Sequence, residues 1–373
     1  MDRFREVVEN RHRYAQEWKE RSGGKVLGYF CTYMPEELLH SAGVLPVRIL
    51  GSHQPQDVAE KHIYTMFCPF CRDCLAQGLL GRFDYLNGVA TAHTCIHIRQ
   101  AYGSWVQHVP TLDGFSYYLS MPSKPTSPRA RPFLISEMED LQRAIEEWTG
   151  KAISPQALQE AIEVYNLNRR LMRQVYELRK ADNPPVSGEE CMFMVIASQC
   201  MDKAEHNRIL QEVLAERTGK EGNGCGTRLM VIGSEDDDTE FLRMTESMGA
   251  NVVIDDHCTG SRYFWGEAPP AESPVASLAD RYINKIPCPE KDWDGRVRWE
   301  HIFNLIDEYR VEGALLIQQK FCDPHEFDIP LLTKVLQEEK DIPCLFLEFD
   351  VTVPAGQFRT RLEAFLEMVS LGV

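Results

Sequence analysis

The residues best suited to chemistry here are cysteines. Twelve occur in 373 residues. Three of them, Cys31, Cys95 and Cys322, stand where a buried strand reads as ending, after KVLGYF, VATAHT and LLIQQKF. In open parallel sheets, sites form in the crevice beyond the carboxyl ends of strands, so side chains from distant parts of a sequence converge there. A fourth feature is CPFCRDC, with Cys68, Cys71 and Cys74. Pro69 suits the first position of a helix, which makes Cys68 its N-cap. A thiol at a helix N-terminus has its thiolate favoured by the backbone N–H groups and the dipole, and the thiolate is the form that binds metal. The C-x₂-C-x₂-C spacing is also that of a ferredoxin-type run, in which all three cysteines share one cluster. On spacing alone, Cys71 and Cys74 therefore compete with the spread-out set. Free cysteine is also among the commonest buried residues. Cys191, Cys200, Cys288 and Cys344 lie in apolar stretches and read as core filler. Cys225, in a Gly-rich loop, stays unassigned. Cys258, in DDHCTGSRYF just past a strand, is placed to line a site without binding metal. Zinc sites pair one close cysteine spacing with another. No second pair exists, so isolated cysteines at strand ends suit an iron–sulfur cluster better.

The elements that must position these residues follow from periodicity and punctuation. A helix is expected over 3–22, a strand over 25–30, a helix over 35–43 with Pro35 first and Gly43 closing it, and a strand over 44–50. That βαβ unit implies a parallel sheet. A helix at 69–80, a strand at 83–92 and another helix at 97–107 continue it. Residues 122–132 read as a Pro/Ser-rich linker. Ser136 with Glu139 resembles a capping box opening a helix to Trp148, Ser154 and Pro155 open a long helix, and a further helix spans about 189–217. A second α/β region follows, with strands at 227–233, 250–256, 313–319 and 343–349 and a last helix at 357–370. The expected fold is α/β: two open parallel-sheet domains of Rossmann or flavodoxin type, over 1–130 and 218–373, joined by a helical segment over 131–217. The first carries two of the cluster cysteines and the second carries the third.

The formal charge is −16, and no dense Lys/Arg block is present, which argues against a nucleic-acid binder. No run of about 18 apolar residues would span a membrane. The charged start lacks the apolar core of a signal peptide, so a cytoplasmic protein is expected. Structural disulfides are rare in that compartment.

With these segments in place, the sequence resembles the 2-hydroxyacyl-CoA dehydratase and benzoyl-CoA reductase family. GYFCTYMPEELLHSAGVLPVRILG is similar to its first βαβ unit, and CPFCRDCLAQGLLGRFDYLNGVATAHTCIHIRQAY to its first cluster segment. DDHCTGSRYFWGE, KFCDPHEFDIPLL, CLFLEFD and GQFRTRLEAF resemble its C-terminal half, in the same order. The resemblance implies one [4Fe–4S] cluster held by Cys68, Cys95 and Cys322, with the fourth iron free of any cysteine of this chain. It further implies a sister cluster-binding subunit, separate ATP-hydrolysing electron-activator subunits, and an aromatic acyl-CoA substrate. CTYMPEELL and CTGSRYFWG look closer to the reductase branch. The chain has no G-x-x-x-x-G-K-[ST] loop, so ATP is expected on a partner, and Gly222, Gly224 and Gly226 precede a strand where a dinucleotide fingerprint follows one. His325, just after Cys322, is a candidate to hydrogen-bond a sulfur or move a proton; position alone favours a helix-start residue facing solvent. Tyr33, Glu36 and His40 are candidates to touch substrate, although Glu36 and His40, four apart, suit a surface pair. Arg262 and Tyr263 suit either a CoA phosphate site or a surface salt bridge. Arg359 and Arg361 read as solvated.

Overall fold

A computed structural model describes residues 1–55, 57–222, 226–292 and 296–372. Cys225 and Gly224 lie outside the described residues. Two four-stranded sheets, each parallel throughout, form the frame. The first contains β1 (Lys25–Tyr29), β2 (Val44–Arg48), β3 (Gly88–Ala92) and β4 (Phe115–Leu119), in the order β2-β1-β3-β4. The second contains β5 (Thr227–Gly233), β6 (Ala250–Asp256), β7 (Gly313–Gln319) and β8 (Cys344–Phe349), in the order β6-β5-β7-β8. Both sheets are therefore wound alike, and the expected α/β class is the observed one. Strands buried on both faces read as continuous apolar runs, as VLPVR and GALLIQQ do, and every residue of β2 and β7 is buried. Pro46 fits because β2 is an edge strand, where a missing N–H breaks no ladder.

Several expected boundaries moved for identifiable reasons. The first helix is two, Asp2–Glu9 and Arg11–Ser22, broken at Asn10, whose side-chain amide donates to the Glu6 carbonyl and so competes with the backbone. Ser136 caps nothing: the helix there runs Ala130–Thr149, and its first turn carries Pro132. Residues 189–217 form two helices, Gly188–Ser198 with a capping box from Ser187 and Glu190, and Lys203–Arg217 capped by Asp202. Ser154 caps Pro155–Glu177 as expected, its hydroxyl accepting from the Ala157 N–H at 3.1 Å. β3 is shorter than 83–92, and β4, lying partly exposed at the edge, was not foreseen.

The chain also returns from the second sheet to the first. Helix Pro274–Asn284 packs against Ala130–Thr149, burying Leu278 and Tyr282 with Leu27, Leu38 and Leu141. The Tyr282 hydroxyl donates to the Met34 carbonyl at 2.9 Å. A polar tie joins the loops beyond β2 and β5. Asp73 accepts from the backbone N–H groups of Ser52 and His53, at 2.7 and 2.9 Å, and the His53 ring reaches Asp237 at 2.8 Å. Burial opposes a charge on His53, but Asp237, backed by Asp238 and Glu235, raises it to about 10. Because that value lies above the ordinary 6.5, the stabilisation is complete below about pH 6.5 and fades as pH rises toward 10. His53→Gln is expected to lower stability by on the order of 2 kcal/mol at pH 6, allowing for a side chain 31% exposed, with the gap closing at pH 10. Denaturant midpoints at both pH values check this; a constant gap contradicts it.

Candidate functional site

The carboxyl ends of both sheets face one partly open cavity with about 80 Å³ of open interior. Seven thiols line it: Cys31, Cys68, Cys71, Cys95, Cys258, Cys288 and Cys322. The eleven described cysteines are all free thiols. Cys68, Cys95 and Cys322, spread across the sequence, thus meet in one place. Each is the N-cap of a helix: Pro69–Leu79, Ile96–His108 and Asp323–Lys340 respectively. Proline in the first turn fixes two of these starts, Pro69 and Pro324. Before Cys322 the chain turns through Phe321 at φ 59°, a left-handed conformation that costs a non-glycine residue about 1–2 kcal/mol. Three helix N-termini, each positive in the dipole sense, therefore converge on the cavity and favour negative charge there.

The thiols differ. A hydrogen bond from Cys71 lowers the Cys68 thiol, burial opposes this, and the backbone N–H groups of Cys71 and Phe70 assist. Cys68 is thus the most readily ionised ligand candidate, as expected, although the neighbouring thiol contributes more than the helix end. Burial raises Cys71, Cys95 and Cys322, with the other thiols adding to it. Cys74 does not line the cavity; its thiol donates to the Ile49 carbonyl at 3.5 Å.

His97 bridges two of the cysteine segments. Its Nδ1 accepts the Cys68 backbone N–H at 2.8 Å, which leaves Nε2–H to donate to Asp323, 3.2 Å away. His325 is not a solvent-facing helix start. It is 2% exposed, with Nδ1 3.2 Å from Cys322 Sγ and Nε2 3.4 Å from Arg262 Nη2. Arginine has only donors, so Nε2 accepts and Nδ1–H is left to donate to the sulfur. Burial, with Arg262 beside it, holds this imidazole well below its ordinary value, so it is neutral.

Arg262 is no surface residue; it lines the cavity. It is buried, 3.6 Å from Asp256 and bonded to the Gly233 carbonyl. Tyr263 is buried too, and its hydroxyl donates to Glu36 at 2.7 Å. Glu36 lies outside the cavity and pairs with no surface histidine. Its helix is pressed between the first sheet and Pro155–Glu177, so the carboxylate is 3% exposed and also accepts from Tyr29 at 3.1 Å. His40 stacks edge-on against Tyr165. Tyr33 does line the cavity; its hydroxyl accepts the Cys288 backbone N–H at 3.2 Å. Arg359 and Arg361 are solvated, as expected.

Sequence reasoning missed several lining residues, Cys288, His97, Arg48 and Lys285 among them. Cys288 is no filler, although its apolar neighbours suggested it. His97 carried no motif. Arg48 closes β2 and donates to Gln199 at 2.5 Å, with Glu235 3.8 Å away. Lys285 donates to the Thr32 carbonyl at 2.9 Å, and burial, with Arg281 nearby, lowers it to about 7.

Among the described residues no three His, Cys, Asp or Glu side chains converge as a single metal ion requires. Zinc needs all its sulfurs about 2.3 Å from one point. Thiols spread around a cavity suit instead a polynuclear unit in which each sulfur holds its own iron. The convergent helix N-termini, with the buried Thr94 hydroxyl and Arg262 Nη1 that have no hydrogen-bond partner among the described residues, fit an anionic, sulfur-rich guest. The residues present therefore fit a cluster. No helix among the described residues is long and apolar enough to cross a membrane.

Comparison with known proteins adds to this geometry. A family model described as 2-hydroxyglutaryl-CoA dehydratase, D-component, matches residues 31–369. The chain is 26% identical over 373 residues to the (R)-phenyllactyl-CoA dehydratase beta subunit of Clostridium sporogenes, covering 98% of this chain and 97% of that one. It is 25% identical over 370 residues to a benzoyl-CoA reductase subunit of Thauera aromatica, covering 96% and 94%. It is 26% identical over 356 residues to the (R)-2-hydroxyglutaryl-CoA dehydratase subunit beta of Acidaminococcus fermentans, covering 92% of each.

Proposed function

Because the chain belongs to the 2-hydroxyglutaryl-CoA dehydratase D-component family, we propose that it is the [4Fe–4S]-binding subunit of an ATP-dependent reductase that dearomatises an aromatic acyl-CoA such as benzoyl-CoA. The observation that carries this is the meeting of Cys68, Cys95 and Cys322, each at a helix N-terminus, on one cavity. A cluster held there supplies one-electron transfer at low potential.

The chain's own residues set its surroundings. Cys71 donates to Cys68, and His325 Nδ1–H donates to Cys322 Sγ; such contacts to sulfur tune a cluster's potential. His97 holds the Cys68 and Cys322 segments in register. Lys285 Nζ, near neutral in affinity for its proton, can hold or release one beside the cavity. Burial keeps the Tyr33 phenol protonated, so its O–H remains a donor for a thioester oxygen. A whole acyl-CoA exceeds this cavity, so the part of it that stays outside is left to a surface that another protein chain completes. Each cysteine segment carries an exposed apolar side chain within two residues of its cysteine, Met66, Ile96 and Phe321, and exposed apolar side chains of this kind suit contact with the sister subunit or the activator that delivers electrons.

A second reading, a radical 2-hydroxyacyl-CoA dehydratase subunit, draws on the dehydratase names of relatives at the same identity. The anaerobic complex with its activator separates the two. Consumption of benzoyl-CoA with ATP hydrolysed in proportion is the expected result. Turnover of a 2-hydroxyacyl-CoA with ATP needed only to start selects the second reading.

A further inference from the structure

Three of the seven cavity thiols belong to the proposed cluster site, and Cys71 donates to one of those three. Cys31, Cys258 and Cys288 remain. They come from separate places in the fold: Cys31 just past β1, Cys258 just past β6, and Cys288 at the N-cap of the short turn Pro289–Lys291. Filler cysteines sit among apolar atoms. These three are partly exposed to the cavity and lie among cations. Arg262 Nη2 is 3.9 Å from Cys258 Sγ, and its Nη1 is buried without a hydrogen-bond partner among the described residues. Lys285 is 4% exposed; its ammonium donates to the Thr32 carbonyl and hydroxyl, at 2.9 and 3.2 Å, and lies over the Tyr33 ring, 4.7 Å from its centroid, and among the described residues no carboxylate comes within ion-pair distance. A buried ammonium without a counter-charge is costly, and the nearby groups able to supply one are thiolates.

We infer that Cys31, Cys258 and Cys288 hold a second iron–sulfur unit in the same cavity, adjoining the one assigned to Cys68, Cys95 and Cys322. This rests on the cluster reading above. The two sets are neighbours, since all six thiols line one cavity. Lys285 and Arg262 then supply the positive charge that a second cluster needs.

The test is iron and acid-labile sulfide per chain in the full-length protein, purified and reconstituted without oxygen. About eight iron atoms are expected, twice the four of one cluster, falling to about four in Cys288→Ser and in Cys31→Ser. About four in the unaltered protein, unchanged by either substitution but lost in Cys322→Ser, overturns the second unit and leaves the functional reading standing. No iron at all overturns both. The count on the unaltered chain decides even if one variant fails to fold.

Discussion

Cys322→Ser, purified without oxygen, is expected to lose about four iron atoms per chain relative to the unaltered protein, together with turnover in the complex, whereas Cys344→Ser keeps its iron. Both substitutions exchange sulfur for oxygen, and serine is a hard ligand where iron–sulfur chemistry wants a soft thiolate. The difference lies in place. Cys322 caps Asp323–Lys340 at the cavity and faces His325. Cys344 opens β8 and contacts the Ile342 carbonyl of its own loop at 3.3 Å. Electronic absorption and iron content read the outcome directly. Equal iron in the two variants sinks the ligand assignment.

The largest effect on folding is expected at Arg298. Its guanidinium is 1% exposed and bridges Asp256, at the end of β6, to Asp328 in the helix that begins after Cys322. Asp328 also accepts from Trp299 Nε1 at 3.0 Å, and Asp256 faces Arg262. Arg298→Met leaves two buried carboxylates facing each other across an apolar side chain. Breaking a buried pair in this way costs about 3–5 kcal/mol. Burial opposes the Asp256 charge, but Arg262 and Arg298 hold its carboxyl below the ordinary range. Its contribution is therefore present above about pH 4 and is lost as pH falls through the folded value. Denaturant unfolding at pH 7 is expected to show the full loss, and the gap to narrow toward pH 3. A loss under about 1 kcal/mol at pH 7 is what an exposed pair would give and contradicts the role.

Much of the frame was legible because it is written locally. Apolar runs such as GALLIQQ mark buried strands, and a proline beside a cysteine marks a helix start, which is enough to put Cys68 at a helix end. β4 was missed because FSYYL lies partly exposed at a sheet edge and has no clear period. Ser136 and Glu139 misled because a capping pair three apart also fits a helix interior. The environment of the site was illegible for a different reason. His97 touches Asp323, Arg48 touches Gln199 and Lys285 touches Thr32, and no local pattern announces contacts across such distances. Glu36 looked like half of a surface pair because His40 stands four residues on, yet Tyr29 and Tyr263 enclose it from two different elements.

Cys68 and Cys95 belong to the first sheet's loops and Cys322 to the second's. A nascent chain leaves the ribosome N-terminus first, so the third thiol emerges after the other two. A cluster on these three thiols, as proposed, would then be built only after both halves have been made, on thiols that stay open to oxidants until it arrives.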